Sequence, residues 1–272
     1  MLKSAANATE VARPFPDPTS QPSTISSRGR IIINADDWGR NIETTDRTLE
    51  CTLRGSVSSV SAMVFMEDSE RAAAIAREKG VDAGLHLNFT SAFTPGTPTL
   101  LAEQQHRLTR YLLSHRLAPA MFHPALAGAF EYVLKAQRDE FARLYGAPPK
   151  RVDGHHHMHL CSNVLFGGLL PPGVVVRRSF SFQRGEKSAL NRFYRAVVDR
   201  RLARRHRLTD FFFSLLPLHP PQRLQTIFGF AEHSAVEVET HPINPEEYRF
   251  LTGGEMLRYV NEVDVASRFA LS

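Results

Sequence analysis

The stretch that decides the fold is Ile31-Ile32-Ile33-Asn34-Ala35-Asp36-Asp37-Trp38-Gly39. Three consecutive β-branched residues predict a buried strand, because such side chains pack well on a pleated sheet. Consecutive strand side chains point to opposite faces, so Asp36 and Asp37 can reach one site only if the backbone turns there, which Gly39 would assist. On its own, an Asp-Asp pair before a glycine is more typical of a turn or a helix cap.

Strands and helices alternate on either side of this stretch. The predicted helices cover 42–54, 68–78 and much of 99–145, and the further strands cover 57–65, 81–89, 151–160, 174–178 and 235–240. Such alternation predicts an α/β fold with mostly parallel strands, either closed as a barrel or open and doubly wound. We expect a distorted (β/α) barrel of the TIM type, with the functional groups at the carboxyl ends of the strands.

The chain of 272 residues is predicted to hold one folded domain. Residues 1–29 contain four prolines and no apolar periodicity, so we expect a disordered tail there. Residues 30–272 are expected to form a single barrel domain, with a basic and mainly helical insert around 188–216.

Composition narrows the classes of function. The formal charge is +5, and part of it lies in five arginines between 200 and 207. We interpret that run as a solvated helix face, because no interleaved aromatic residues indicate nucleic-acid binding. No run approaches the roughly 18 apolar residues of a membrane span, and the N-terminus lacks the apolar region of a secretory signal. Two isolated cysteines predict neither a disulfide framework nor a cysteine-rich zinc site, so a cytoplasmic location is expected.

Histidines follow several predicted strands. His86 lies in Gly84-Leu85-His86-Leu87-Asn88, on the strand face opposite the leucines, and His241 follows the strand at 235–240. Each alone is more typical of a hydrogen-bonded core residue or a loop residue than of a ligand.

The segment Asp153-Gly154-His155-His156-His157-Met158-His159 is less ordinary. It holds four of the chain's 12 histidines, and as a strand it would place Asp153, His155, His157 and His159 on one face. Imidazole is the commonest metal-binding side chain. We expect fewer than four of these histidines to bind metal, because sites recruit ligands from several segments and leave a position open for water.

In order along the chain, these four motifs, from Asn34 to Gly39, from Gly84 to Asn88, from Asp153 to His159, and His241-Pro242, resemble the YdjC-like family, which is related to chitooligosaccharide deacetylases. The resemblance spans about residue 30 to the C-terminus. It implies a distorted (β/α) barrel that hydrolyses the acetamide of an N-acetylated sugar or oligosaccharide with one divalent metal ion, Mg²⁺ or Zn²⁺.

The resemblance also implies roles for individual residues. Asp37, His86 and His155 are the implied metal ligands, Asp36 the implied general base, and His241 the implied general acid. A metal held by one carboxylate and two imidazoles keeps positions open for water and the acetyl oxygen. Strand parity further predicts that Asp153 and His157 orient the liganding imidazoles through hydrogen bonds.

Two alternatives stay open. A metal-dependent phosphoesterase would use the same ligand types, although no second cluster of bridging carboxylates is apparent. A non-catalytic metal-binding or sugar-binding protein would hold an ion without turnover. The sequence leaves the metal, the sugar and the choice between monomer and homodimer open.

Overall fold

The computed structural model describes residues 29–182, 186–256, 259 and 269. The predicted tail over 1–29 therefore lies outside the described residues, except for Gly29. The strands are β1 Arg30–Trp38, β2 Ser59–Ala62, β3 Ala83–Leu87, β4 Arg151–Gly154, β5 Val175–Val176, β6 Phe211–Ser214 and β7 Ala235–Thr240. The α-helices are α1 Ile42–Leu53, α2 Ser69–Lys79, α3 Thr99–Leu112, α4 Ala127–Tyr145, α5 Ser162–Gly167, α6 Ala189–Ala203, α7 Pro221–Phe230 and α8 Pro245–Thr252.

All seven strands are parallel, in the order β5-β4-β3-β2-β1-β7-β6. The sheet curls, so that β5 at one edge approaches the segment just before β6 at the other edge. The Val176 amide donates to the Arg207 carbonyl at 2.9 Å, and the Arg207 amide donates to the Val174 carbonyl at 3.2 Å. The predicted α/β fold, a distorted parallel (β/α) barrel, is confirmed as a curled half-barrel with helices around it.

Local sequence signals set the helix boundaries. The Asn41 side chain accepts a hydrogen bond from the Thr44 amide and so begins α1. Gly80 and Gly146 adopt the left-handed conformation that ends α2 and α4. Among the described residues, no helix is long and apolar enough to cross a membrane.

The inside of the curled sheet is polar, whereas its outer face packs on the helices. The apolar start of β1 is buried as predicted, with Ile31, Ile32 and Ile33 at most 1% exposed. Burying one such side chain stabilises the fold by about 1.5–3 kcal/mol. Polar residues of β1 to β4 and β7 instead fill the interior: Asn34, Asp36, Ser59, Ser61, His86, Arg151, Asp153, Glu237 and Glu239.

Two predictions of secondary structure are wrong. The strand predicted over 151–160 ends at Gly154 and continues as a 3-10 segment, His155–Leu160, in which His156 and His157 have φ of +53° and +57°. The stretch predicted to be mainly helical around 188–216 contains α6 in its first half, but its second half supplies β6 to the sheet. Three consecutive phenylalanines, Phe211 to Phe213, were the β-forming signal for that strand.

Candidate active site

The backbone turn that brings both aspartates to one site lies at Asp37 itself. Asp37 has φ of +65°, and the pairing register of β1 with β2 shifts between Ala35 and Trp38. Positive φ is unusual for aspartate, although aspartate tolerates it better than most residues. Oxygens of both carboxylates consequently approach the same nitrogen, Nε2 of His86, at 4.0 Å for Asp36 and 3.4 Å for Asp37.

Asp37, His86 and His155 form a buried group that could hold a metal ion. Oδ1 of Asp37 lies 3.4 Å from Nε2 of His86 and 2.9 Å from Nδ1 of His155. One ligand atom from each residue lies within 4.8 Å of the other two. The family resemblance implied these three residues as a set, and the structure brings them together from the ends of β1, β3 and β4.

The donor set fits a cation. Despite its two imidazole neighbours, Oδ1 of Asp37 is buried without a hydrogen-bond partner of good geometry, whereas Oδ2 is paired with Arg40 at 2.9 Å. A buried carboxylate oxygen in that state is costly unless a cation or water satisfies it. Burial raises the pKa of Asp37, but the close approach of the His155 and His86 imidazoles outweighs burial and holds the pKa well below its usual range. Asp37 is therefore ionised and points its free oxygen at two imidazoles.

His86 is oriented from behind by Asp153. Oδ1 of Asp153 accepts from Nδ1 of His86 at 2.8 Å, and Oδ2 accepts from the Ser61 hydroxyl at 2.5 Å. Burial lowers the pKa of His86, but Asp36 and Asp153 raise it to about 10. The carboxylates around His86 thus favour a positive charge at this point.

Asp36 is held by an arginine that the sequence reasoning did not single out. Arg177 follows β5, is fully buried, and donates from both terminal nitrogens to the two Asp36 oxygens at 2.7 Å each. Burial raises the pKa of Asp36, but Arg177 and then His86 lower it to below the ordinary value. Asp36 is consequently an ionised carboxylate. The sequence did contain one signal for Arg177. It is a cationic residue directly after an apolar strand, at the same rim as Asp36 and His86.

Arg177 also contacts three further acids of the interior. It lies 3.0 Å from Asp153, 2.8 Å from Glu237 and 3.4 Å from Glu239. Asp36, His86 and Asp153 form a second group with metal-ligand spacing. Because the Arg177 guanidinium already pairs with both of its carboxylates, this second group is less suited to a cation than the first.

The 3-10 segment sends its histidines in different directions. His155 joins Asp37, His157 lies 3.7 Å from Glu239 and packs edge-on against Phe180, and Nε2 of His159 donates to the Arg177 carbonyl at 3.0 Å. The parity argument that put all three on one face is therefore wrong, because the chain leaves the strand conformation after Gly154. Asp153, still on the strand, does contact a histidine of the group.

His241 lies at the end of β7, the strand that pairs with β1. Its side chain is 38% exposed, and its Nδ1 lies 4.0 Å from Glu247. Glu247 also accepts from the His241 amide at 2.7 Å and from the Thr240 hydroxyl at 2.5 Å. Glu247 thus holds His241 at the rim next to β1. His241 is not positioned by direct contact with Asp37, His86 or His155.

Fold and site together define the class: a parallel α/β protein with a buried carboxylate-imidazole group at the carboxyl ends of its strands, capable of holding a metal. The sequence pattern of the YdjC-like protein family matches residues 30–261. The chain therefore belongs to the YdjC-like family.

Curated relatives match a shorter part of the chain. A carbohydrate deacetylase of Mus musculus is 33% identical over 142 residues, covering 50% of this chain and 45% of the relative. A chitooligosaccharide deacetylase of Serratia marcescens is 32% identical over 131 residues, covering 48% and 50%. In both comparisons the chain spans about half the length of the relative.

A solved structure supports the fold. A protein of Enterococcus faecalis V583, whose crystal structure carries a provisional assignment to cellobiose-phosphate cleavage, aligns with a TM-score of 0.62 at 19% identity. The alignment covers 88% of this chain and 97% of that one. At this identity the likeness concerns the fold alone.

Proposed function

We propose that this protein is a divalent-metal-dependent deacetylase that hydrolyses the acetamide of an N-acetylated sugar or oligosaccharide. The observation that carries the proposal is the convergence of Asp37, His86 and His155, each with one ligand atom within 4.8 Å of the others. The names of the mouse and Serratia marcescens relatives supply the substrate class. The proposal includes a single catalytic domain over residues 30–272 and a cytoplasmic location.

In this proposal Asp37, His86 and His155 hold the ion, which is Mg²⁺ or Zn²⁺. A bound divalent ion supplies Lewis acidity, which activates water and polarises the acetyl oxygen. One carboxylate and two imidazoles leave further coordination positions open for both. Asp153 holds the His86 ring in its orientation through the hydrogen bond to Nδ1. The orienting role proposed for His157 stays a prediction, since its ring faces Glu239.

Proton transfers fall to Asp36 and His241. Asp36 is ionised beside Arg177, so its carboxylate is in the state that accepts a proton from water as the carbon-oxygen bond forms. When the carbon-nitrogen bond breaks, the amine needs a proton. Glu247 faces Nδ1 of His241, which leaves Nε2 as the atom that donates it. The products are acetate and a free amino sugar.

The arrangement gives less support to the phosphoesterase alternative. A two-metal phosphoesterase needs a second ion about 3.5–4 Å from the first. Among the described residues, the second group with suitable spacing is that of Asp36, His86 and Asp153, and Arg177 already pairs with both of its carboxylates.

Acetate release tests the proposal. The full chain is stripped of metal, reloaded with Mg²⁺ or Zn²⁺, and incubated with N-acetylchitooligosaccharides and other N-acetylated glycans. We expect metal-dependent acetate release, and an Asp36→Asn variant that keeps its metal but loses about 10²–10⁴-fold in turnover, the usual contribution of a general base.

Asp68→Asn is the matched control for that variant. Asp68 is also a buried carboxylate held by two arginine nitrogens, those of Arg71 at 2.8 and 2.7 Å, but it lies at the start of α2. It should keep full turnover. Acetate release from none of the glycans, or full turnover in Asp36→Asn, would contradict the proposal, and the latter result would favour a binding protein.

A further inference from the structure

Helix α6 exposes an apolar stripe to solvent. Leu190, Phe193, Tyr194 and Val197 follow the i, i+3, i+4, i+7 spacing that places side chains on one helix face. Their exposed fractions are 77%, 67%, 47% and 50%. Scattered exposed apolar residues are normal, but a contiguous stripe of large ones marks an interaction surface.

The stripe is not the face by which α6 docks on its own domain. Val198 and Leu202, on a different side of the helix, are buried in the core, and the buried Asp199 binds Arg178 and the Ser179 amide. Helix α6 is thus apolar on two sides. One side packs against the protein and the other faces solvent.

The apolar surface extends beyond α6. Arg201 donates to the Leu165 carbonyl and lies over the Phe166 ring, 4.7 Å from its centroid. Phe166, in α5, is itself 60% exposed. We refer to Leu190, Phe193, Tyr194, Val197 and Phe166 together as the apolar patch.

Apart from Phe166, the patch lies in the most basic part of the sequence. Residues 187–207 contain seven arginines and one lysine against a single acid, the buried Asp199. Arg201, Arg204 and Arg205 also line a cavity of about 190 Å³ between α5 and the end of α6, with Val164, Leu165 and Leu170 among its apolar walls. Three arginines around an opening of this size suit a phosphate group.

We propose that α6 and the apolar patch dock this protein on the surface of an anionic lipid bilayer. Interfacial helices place large apolar side chains at the acyl boundary and arginines or lysines at the headgroups, which is the arrangement seen here. A nucleic acid would satisfy the arginines but leave the apolar stripe without a partner. A second copy of the chain would cover the stripe but bring two strongly basic surfaces together.

The side of α6 that carries Arg195, away from the apolar patch, is connected to the candidate site by a series of ring contacts. Arg195 of α6 lies over the Phe182 ring at 4.9 Å, Phe182 lies 6.1 Å from Phe180, and Phe180 packs against His157 at 4.6 Å.

Co-sedimentation of the full chain with vesicles tests this proposal. Vesicles of phosphatidylcholine with about a third phosphatidylglycerol should bind the protein, and pure phosphatidylcholine should bind it far less. Raising the salt to about 1 M, where the Debye length is ~3 Å, should weaken binding. A Leu190→Ser, Phe193→Ser double variant should lose at least about tenfold in partitioning, because its apolar contact with the acyl boundary is removed.

The matched control is Leu53→Ser with Leu100→Ser, which removes two exposed leucines, 65% and 54% exposed, from α1 and α3. It should bind vesicles as the unmodified protein does, and circular dichroism should show that both double variants are folded. The proposal would be overturned if the unmodified protein did not bind the anionic vesicles. It would also be overturned if the Leu190→Ser, Phe193→Ser variant bound them as well as the unmodified protein does. A lipid-free dimer that this variant dissociates in ultracentrifugation would likewise overturn it and would assign the patch to a second copy. Acetate release from soluble glycans without lipid tests the proposed function separately.

Discussion

Oδ1 of Asp153 lies 2.8 Å from Nδ1 of His86, and both groups are 1% exposed. A carboxylate can only accept, so Nδ1 of His86 carries a proton and Nε2 is the ring nitrogen that faces Asp37. Ser61 and Arg177 in turn hold the other Asp153 oxygen at 2.5 and 3.0 Å. Asp153 therefore fixes both the tautomer and the direction of an imidazole that the proposed metal site requires.

Replacing Asp153 by Asn should weaken metal binding. The amide cannot hold His86 in the same tautomer with the same strength, and loss of such a supporting partner typically costs about 10–100-fold in affinity. Calorimetric titration of the stripped protein with Zn²⁺ measures the change. Ser61→Ala, which keeps the carboxylate and removes only the hydroxyl behind it, should cost less. Equal affinities for the unmodified protein and Asp153→Asn would show that His86 needs no support.

Replacing Arg177 by Met should destabilise the fold. The guanidinium pairs with Asp36, Asp153 and Glu237, and its removal leaves buried acids without compensation. Breaking a buried ion pair in this way costs about 3–5 kcal/mol in the free energy of unfolding. Urea denaturation at neutral pH measures the loss.

Arg54→Met is the control for Arg177→Met. Arg54 pairs with Glu50 at 2.8 Å, but its side chain is 54% exposed. Exposed pairs of this kind contribute about 0–1 kcal/mol. A similar, small loss in both variants would mean that the interior acids are neutral in the native protein and do not need Arg177.

The sequence, together with the family resemblance of its motifs, was sufficient for the fold and for the group of Asp37, His86 and His155. β-Branched and apolar runs identified β1, β3 and β7, and parallel strands necessarily bring their carboxyl ends to one rim. This geometry brings the ends of β1 and β3 to one rim, and the family resemblance of the motifs selected Asp37, His86 and His155 among the acids and histidines there. Local sequence was also sufficient for the boundaries of α2, where Gly80 provides the left-handed cap.

The sequence was not sufficient for partners that meet across the curled sheet. Arg177 pairs with residues 141 and 60 positions away in the chain, and no local pattern specifies such a contact. The path of His155 to His159 was also missed, because period-two reasoning holds only while the backbone stays extended. Two consecutive histidines with positive φ are a tertiary outcome that residue preferences do not predict.

Replacing Gly154 by Ala should disturb the position of His155. A Cβ at Gly154 would lie 3.0 Å from the His159 amide nitrogen and 3.1 Å from its Cβ, so the 3-10 segment would have to give way by a few tenths of an ångström. We expect a loss of about 1–3 kcal/mol in the free energy of unfolding, typical of overpacking, together with weaker Zn²⁺ binding. Thermal denaturation and metal titration measure both effects.

Gly128→Ala is the control for Gly154→Ala. Gly128 lies in the first turn of α4, and a Cβ there would meet nothing within 4 Å. Alanine should leave stability unchanged or raise it by up to about 1 kcal/mol, since it favours the helix. Unchanged metal affinity in Gly154→Ala would indicate that His155 is positioned independently of the strand end.

Acid should destabilise the protein partly through His159. Burial lowers the pKa of His159 to about 4 from the ordinary 6.5, while Nε2 donates to the Arg177 carbonyl. Above pH 6.5 the ring is neutral in both folded and unfolded chains, so it adds no pH dependence. Between pH 6.5 and about 4 only the unfolded chain takes up the proton, so stability falls as pH falls. One pKa unit corresponds to about 1.4 kcal/mol, which gives a loss of roughly 3 kcal/mol across this window.

A His159→Gln variant should lack that part of the pH dependence. Its amide keeps a donor for the Arg177 carbonyl but does not titrate, so the free energy of unfolding should fall less steeply between pH 6.5 and 4. Urea denaturation at several pH values in this window measures the difference in slope. His233→Gln, which removes a histidine whose side chain is 90% exposed, is the control and should follow the unmodified protein. Parallel curves for His159→Gln and the unmodified protein would show that His159 takes up its proton equally in the folded and unfolded chains.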